Sequence, residues 1–177
     1  MPSEFLILTE HTRLRRLAPA DLADFQRYRS DEEVGLYQDW MPQSDTNAAI
    51  FLEQMGTAEF FQPGTWFQLG IADRETDVLI GDIGICLSAA ESEVEIGFTL
   101  CRQSQGLGLA SEAVNAAVAF IFEETDIHRI IGIVDTRNIA SSRLLEKLGM
   151  QCLQTDTALF RGSPCEEHLY ALHRPQT

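Results

Sequence analysis

The loop at residues 103–110 is the part of this sequence whose residue types are best suited to binding an anion. It contains Gly106 and Gly108 and leads into a helical stripe of small and apolar residues at 110, 113, 114, 117, 118 and 121. Backbone N–H groups of such a loop can point to one place, where the helix dipole adds partial positive charge. Glycine removes the Cβ atom where an anion must approach the main chain, and Arg102 would add a cation at the rim. The loop predicts a pyrophosphate site, although a G-x-G turn alone is equally consistent with a tight turn that binds nothing.

A dinucleotide-binding loop is a competing interpretation of the same glycines. That fingerprint requires a third Gly or Ala three residues after Gly108, where this sequence has Ser111. It also follows the first strand of a longer βαβ series, whereas several predicted strands precede this loop. Both observations disfavour a Rossmann oxidoreductase.

Two carboxylates share one face of the strand that leads to the loop. Over residues 93–100, period-2 alternation places four apolar side chains on one face and Glu93, Glu95, Gly97 and Thr99 on the other. The strand therefore presents a pair of acids close to the predicted anion site.

The predicted elements that position these residues show no regular alternation of strands and helices at first, and then follow a β-α-β order. Residues 6–17 should begin the sheet, followed by a helix from Pro19 to about residue 30 and one from Ser44 and Asp45 to about residue 59. The remaining elements are strands at 66–72, 78–87 and 93–100, the helix after the glycine loop, a strand at 129–134, a helix between Asn138 and Gly149, and strands at 152–160 and 166–172. The run at 129–134 is apolar on both faces, which is typical of a buried parallel strand.

Composition limits the classes of function. The 177 residues suit a single domain, and 13 Lys plus Arg against 27 Asp plus Glu give a net charge of -14. That charge disfavours nucleic-acid and anionic-membrane partners and favours a cationic substrate, unless the acidity serves only solubility. Neither a membrane span nor a secretory signal is visible, so we expect a cytoplasmic protein. The four cysteines are far apart and the four histidines lack ligand spacing, so no metal site is predicted.

With these motifs in place, the sequence resembles the GNAT acetyltransferase superfamily. Its coenzyme-A motif, Gln or Arg-x-x-Gly-x-Gly or Ala, is matched by residues 103–108. Residues 13–17 with Asp21, and residues 28–34, 95–98 and 138–150, are similar to the RimJ/RimL-like branch, which contains the ribosomal-protein N-terminal acetyltransferases. The resemblance covers essentially all of residues 1–177, which are expected to be a single N-acetyltransferase domain.

The resemblance implies a mixed α/β, or α+β, GNAT fold. A central twisted mixed sheet of about seven strands is flanked by about four helices, and the fourth and fifth strands, here 93–100 and 129–134, splay apart. Pantetheine of acetyl-CoA occupies the gap, paired to main-chain groups of Phe98, Thr99 and Leu100. The other implied cofactor-binding residues are Gln103, Gln105, Gly106, Leu107, Gly108, Leu109, Ala110, Asn138 and Ser141. From the residues alone, Asn138 is a plain helix N-cap, and the two roles are compatible.

Acetyl transfer to an amine requires a neutral amine, an oxyanion donor and a proton for the leaving thiolate. Glu95 is the first candidate for binding or deprotonating the amine, with a solvated strand charge as the alternative. Many family members place a Tyr where this sequence has Leu145, so Ser141 is the candidate that donates to the sulfur, unless it only caps its helix. Main-chain N–H groups near Phe98 or Thr99 are the candidate oxyanion donors.

Several alternatives stay open at this stage. The acceptor is a protein N-terminal α-amine or a small cationic amine, and an acetyl-CoA sensor without turnover is the competing function. A homodimer is neither required nor excluded. The aromatic residues that precede the main sheet are expected to be core packing rather than acceptor contacts, and these are Tyr37, Trp40, Phe60, Phe61 and Trp66. Tyr170 is likewise expected to pack within its strand.

Overall fold

The computed structural model describes residues 4–176, and one mixed sheet runs through this part of the chain. Its eight strands are β1 (Leu6–Leu8), β2 (Thr12–Arg16), β3 (Trp66–Asp73), β4 (Leu79–Leu87), β5 (Val94–Leu100), β6 (Arg129–Asp135), β7 (Gln151–Phe160) and β8 (Ser163–His173). Their order is β1-β2-β3-β4-β5-β6-β8-β7. Only β5 and β6 pair in parallel among these strands, which confirms the predicted βαβ unit.

Five α-helices accompany the sheet over the same residues. They are α1 (Leu22–Arg29), α2 (Glu32–Gly35), α3 (Asp45–Thr57), α4 (Leu109–Glu124) and α5 (Ile139–Lys147), with short 3-10 helices at Pro19–Asp21 and Arg102–Ser104. The mixed α/β class is confirmed. Among residues 4–176, no helix is both long enough and apolar enough to cross a bilayer.

The element counts exceed the expected seven strands and four helices by one each, for local reasons. Residues 6–17 form two strands instead of one, because the chain turns between them where Thr9 N donates to Thr12 O. The extra helix, α2, is capped by Asp31, whose carboxylate accepts from the N–H groups of Glu33 and Val34. A one-turn helix of this kind has too few residues to show a hydrophobic period.

One face of the sheet holds the main apolar core. The predicted stripe on α4 is buried, and α4 contacts β2 and β5. The small side chains of Ala113 and Ala117 are fully buried and permit this close approach. Strands β3 to β5 supply the matching fully buried apolar side chains, which include Leu69, Ile71, Ile83, Ile85 and Val94.

A buried polar cluster ties α1 to the opposite face of the sheet. Asp82 on β4 is 2% exposed and accepts hydrogen bonds from the Tyr28 hydroxyl and from Arg29 Nη2, the latter at 2.9 Å from both carboxylate oxygens. Arg29 Nη2 also donates to Gln68 Oε1 at 3.0 Å. Burial raises the pKa of Tyr28 well above its ordinary value, and the Asp82 carboxylate raises it further. The hydroxyl therefore remains a hydrogen-bond donor to Asp82.

We expect Asp82→Ala to destabilise the protein by about 3–5 kcal/mol, because it leaves the Arg29 guanidinium buried without its counterion. Urea unfolding at pH 7 measures the loss. Asp24→Ala is the control, because Asp24 pairs with Arg27 three residues away, on a more exposed part of α1. Its cost should stay below about 1 kcal/mol. Equal losses would contradict the importance assigned to the buried pair.

Candidate active site

The site begins where β5 and β6 stop pairing. Their parallel register contains only two pairs, Val94 with Ile130 and Glu95 with Ile131. Strand β5 continues to Leu100, paired with β4 but not with β6. The predicted separation of these two strands is therefore confirmed.

Side chains take the place of the missing strand along the open part of β5. Gln38 Nε2 donates to Phe98 O at 3.2 Å, and Gln105 Nε2 donates to Leu100 O at 2.9 Å. Trp40 Nε1 donates to Thr99 Oγ1 at 3.3 Å. The end of β5 is thus held in place without a neighbouring strand on that side.

A cleft of about 470 Å³ opens at this position. Its walls are formed by the end of β5, the glycine loop, one face of α5 and the segment around α2. The predicted residues that line it are Phe98, Thr99, Leu100, Gln105, Gly106, Gly108, Leu109, Ala110, Asn138 and Ser141. Gln103 and Leu107 belong to the same loop but do not line the cleft, and both are exposed, Leu107 by 69%.

The glycine loop has free backbone donors beside the cleft. Gly106 and Gly108 have φ angles of 75° and 79°, and Gly108 is the left-handed residue that precedes α4. A Cβ atom on either glycine would meet nothing within 4 Å. Among residues 4–176 the N–H groups of residues 106–111 find no acceptor, and Glu112 N makes the first helical bond, to Gly108 O at 3.1 Å. The segment can therefore receive an anion at a helix N-terminus.

Two cations of the cleft were not predicted from the sequence. Arg143 and Lys147 line it from α5. They share a helix face with Ala140 and Leu144, so their spacing of four residues was the signal that could have identified them. Arg102, predicted as the rim cation, instead pairs with Asp31 and with Glu33, the latter at 3.2 Å.

The segment around α2 lines the cleft with residues that were not among the predicted site residues, because they come from a distant part of the chain. Glu33, Val34, Tyr37 and Gln38 line the cleft from this side. Arg161, in the turn between β7 and β8, holds the wall by donating to Gly35 O at 3.0 Å and to Gln38 O at 3.1 Å.

The aromatic residues expected in the core divide into two groups. Phe60 and Phe61 pack against Phe67 and Phe120, as predicted. By contrast, Tyr37 lines the cleft, Trp40 supports β5, and Trp66 is 42% exposed. The expectation of core packing was therefore wrong for these three residues.

The start of α5 places Asn138 and Ser141 together. Asn138 Oδ1 accepts from Ser141 N at 3.3 Å, which confirms the N-cap. The Ser141 hydroxyl has no hydrogen-bond partner among residues 4–176, so it is available to a molecule in the cleft. Leu145 is 1% exposed and packs near Gly132, and the Tyr170 hydroxyl donates to Glu146 Oε1 at 2.8 Å.

Glu95 is a half-buried carboxylate at the point where the strands separate, and it does not line the cleft. Among residues 4–176 its carboxylate has neither a hydrogen bond nor a cationic partner. Burial raises the pKa of Glu95. Repulsion from neighbouring carboxylates raises it further, most strongly from Asp39 and then from Glu93 and Glu167. Such a group is better prepared to accept a proton than an ordinary surface carboxylate.

Its neighbour Glu93 is in a different situation. Arg129 donates to Glu93 Oε2 through Nε at 2.8 Å and also through Nη2. Of the two predicted acids, Glu95 is therefore the one left without a counterion. Over the described residues, no group of three or more His, Cys, Asp or Glu side chains is arranged to hold a metal ion.

Comparison with known proteins adds independent information. Residues 11–151 match the profile of the acetyltransferase (GNAT) domain. The uncharacterized N-acetyltransferase p20 of Bacillus licheniformis is 32% identical over 146 residues, which are 82% of each chain. The [Ribosomal protein uS5]-alanine N-acetyltransferase of Escherichia coli is 28% identical over 52% of this chain and 49% of its own. The crystal structure of the microcin C7 self-immunity acetyltransferase MccE, in complex with acetyl-CoA and AMP, superposes with a TM-score of 0.82 at 15% identity over 98% of both chains.

Proposed function

The chain belongs to the GNAT acetyltransferase family and is an acetyl-CoA-dependent N-acetyltransferase, and from that premise we propose that its acceptor is a cationic amine bound beside Glu95. A protein N-terminal α-amine and a small cationic amine both meet this description. The observation that supports the proposal most strongly is the half-buried carboxylate of Glu95, which has no cationic partner among residues 4–176 and lies near the carboxylates of Asp39 and Glu167. We also propose that residues 1–177 act as one domain, since the described strands form a single sheet.

The chain has suitable residues for each part of coenzyme A. The N–H groups of the glycine loop would hold the pyrophosphate, with Arg143 and Lys147 as nearby cations. The open end of β5, from Phe98 to Leu100, and Asn138 would contact pantetheine. These donors fit an anion because both glycines leave space where it must approach the main chain.

Glu95 and Ser141 would carry out the proton chemistry. When bound, acetyl-CoA supplies an activated acyl carbon and a thiolate leaving group. Glu95 accepts the proton that the amine nitrogen loses as its bond to the acyl carbon forms, directly or through one water. The free hydroxyl of Ser141 donates a hydrogen bond to the sulfur as the carbon–sulfur bond breaks. Leu145 cannot share this task, because its side chain is buried and apolar.

The electrostatics around Glu95 favour a positively charged acceptor. Asp39 and Glu167 add negative charge there. Burial raises the pKa of Glu167, and repulsion from the carboxylates of Asp39 and Asp135 raises it further. An arriving ammonium group relieves this repulsion, and it then releases one proton to solvent to give the neutral amine that attacks the acyl carbon. An α-amine, with a pKa of about 8, is partly neutral at pH 7 and demands little from the base.

Thermal shift and an amine panel test the proposal. Coenzyme A and acetyl-CoA should raise the melting temperature, whereas NAD should not. Free-thiol release is then measured with peptides bearing free N-termini and with small diamines, against neutral amines as controls. Binding without thiol release for any amine would favour the sensor, and preference for neutral amines would contradict the acceptor class.

Gly108→Trp should weaken coenzyme A binding at least roughly tenfold, which corresponds to 1.4 kcal/mol, by filling the space beside the loop N–H groups. Isothermal titration calorimetry gives the affinity. Gly162→Trp is a matched control, because Gly162 has the same φ of 79° and the same open surroundings but lies outside the cleft. Both variants carry about 1–2 kcal/mol of backbone strain. Similar affinities for the two would show that the loop is misassigned.

Glu95→Gln should lower kcat and remove the acidic limb of the pH–rate profile, because only the ionised carboxylate can accept the proton. The same change should raise the melting temperature at pH 7. A carboxyl whose folded pKa is raised contributes stability at low pH and loses it as the pH rises through that pKa. The gain in melting temperature should therefore disappear near pH 4.

Glu93→Gln serves as the control on the same strand face. It breaks the ion pair with Arg129, so it should not raise the melting temperature at pH 7. Unchanged kinetics in Glu95→Gln would leave Glu95 as an ordinary strand charge.

A further inference from the structure

Glu112, in the first turn of α4, connects the proposed pyrophosphate loop to the other end of the sheet. Its Oε1 accepts from the Thr9 hydroxyl, from His11 N at 2.7 Å and from Thr12 N at 3.1 Å. Its Oε2 lies 2.9 Å from His11 Nδ1. All three partners belong to the turn between β1 and β2 or to the first residue of β2. One side chain therefore binds a whole turn that is about 100 residues earlier in the chain.

The partner turn is a fixed part of the fold. Thr12 is fully buried, and β2 pairs with β3 at five consecutive positions. Burial acts to raise the pKa of Glu112, but the hydrogen bonds from Thr9, His11 and Thr12 outweigh it and lower the pKa to about 2. The carboxylate is therefore ionised at neutral pH, and its hydrogen bonds to N–H groups are charge-assisted.

Over the described residues, α4 has two sets of directional side-chain contacts with distant elements: those of Glu112 in its first turn, and Arg174 Nη1, which donates to Phe122 O at 2.8 Å near its C-terminal end. Only Glu112 acts at the end of α4 that carries the free N–H groups. The buried face of α4 is formed by small and apolar side chains such as Ala113, Val114 and Ala117, and the hydrophobic effect that stabilises this face is not directional. Gly108 has no side chain that could cap the helix. Hydrogen bonds, in contrast, depend steeply on distance and angle.

Glu112 also stands next to the donors themselves. Its own N–H makes the first helical hydrogen bond, to Gly108 O, so the free N–H groups end one residue before it. Movement of Glu112 along the helix axis would move these donors with it. Since a misplacement of about 1 Å in an active site can lower the reaction rate around 100-fold, the position of this first turn should matter for the bound cofactor.

We infer that Glu112 is a positioning residue for coenzyme A: by binding the β1–β2 turn, it fixes the N-terminal turn of α4 and thereby the N–H groups that receive the pyrophosphate. The inference rests on the proposed role of residues 106–111. Glu112 touches neither the cleft nor the reacting atoms, so it acts through the backbone of α4.

The test compares Glu112→Ala and Glu112→Gln with Asp21→Ala in the full chain. Asp21 is a matched control, because its buried carboxylate also makes three short contacts to β2 and the residues after it, accepting from Arg15 at 2.8 and 2.9 Å and from Ala18 N at 2.8 Å. Over the part of the chain that the structure describes, no hydrogen bond joins Asp21 to α4. Calorimetry with coenzyme A gives the affinity, and melting temperature gives the loss of stability.

Glu112→Ala should weaken coenzyme A binding about tenfold or more and raise the KM for acetyl-CoA, with little change in the KM for the amine. Glu112→Gln should lose less affinity, because its amide oxygen can still accept from His11 N and Thr12 N. Glu112→Gln also provides the affinity measurement if Glu112→Ala fails to fold. Asp21→Ala should lower the melting temperature without changing the affinity.

Two results would overturn the inference. One is unchanged coenzyme A affinity in both Glu112 variants. The other is a loss of affinity in Asp21→Ala as well, in the same proportion to its loss of melting temperature as in the Glu112 variants. Absence of coenzyme A binding to the unmodified protein is a different outcome, because it would refute the proposed role of the loop before Glu112 is considered.

Discussion

The early end of the parallel pairing between β5 and β6 is the constraint on which the site depends. A strand whose edge is left open must find other partners for its backbone groups, or the structure pays a desolvation cost. Here the side-chain amides of Gln38 and Gln105 donate to Phe98 O and Leu100 O. They stabilise the open end of β5 while leaving the gap accessible. If β6 paired along the whole of β5, it would fill the gap beside the end of β5 and separate the free N–H groups from the cleft.

The same constraint explains why the cleft is assembled from distant segments. The wall around α2 is held by arginines from two other parts of the chain: Arg102 pairs with Asp31 and Glu33, and Arg161 donates to Gly35 O and Gln38 O. Gln38 thus depends on a turn more than 100 residues later to reach β5. The stability of the wall and the support of β5 are therefore linked through one short helix.

Local patterns were sufficient to predict much of the fold and part of the site. Alternation in β5, the apolar stripe of α4 and the cap at Asn138 each depend on neighbours within a few residues, and each was correctly placed. The role of Gln38 and the ion pairs of Arg102 depend on which distant elements meet, so no spacing in the sequence reveals them. The positions of Gln103 and Leu107 outside the cleft lining have the same origin, because a motif names a loop but not the direction of each side chain.

Charge is distributed unevenly along β5, and this distribution suits a reaction between an anionic and a cationic partner. Glu95 stands at the start of the open segment, with Asp39 and Glu167 nearby, whereas the loop of free N–H groups follows Leu100. At about 3.3 Å per residue, the five residue steps from Glu95 to Leu100 separate these regions by roughly 16 Å. A protein of net charge -14 can therefore hold a phosphate group at one end of the strand, because backbone N–H groups, Arg143 and Lys147 act locally there. The unpaired carboxylate at the other end is destabilised in the free protein, and an amine that neutralises it would gain binding energy where its nitrogen must meet the acyl carbon.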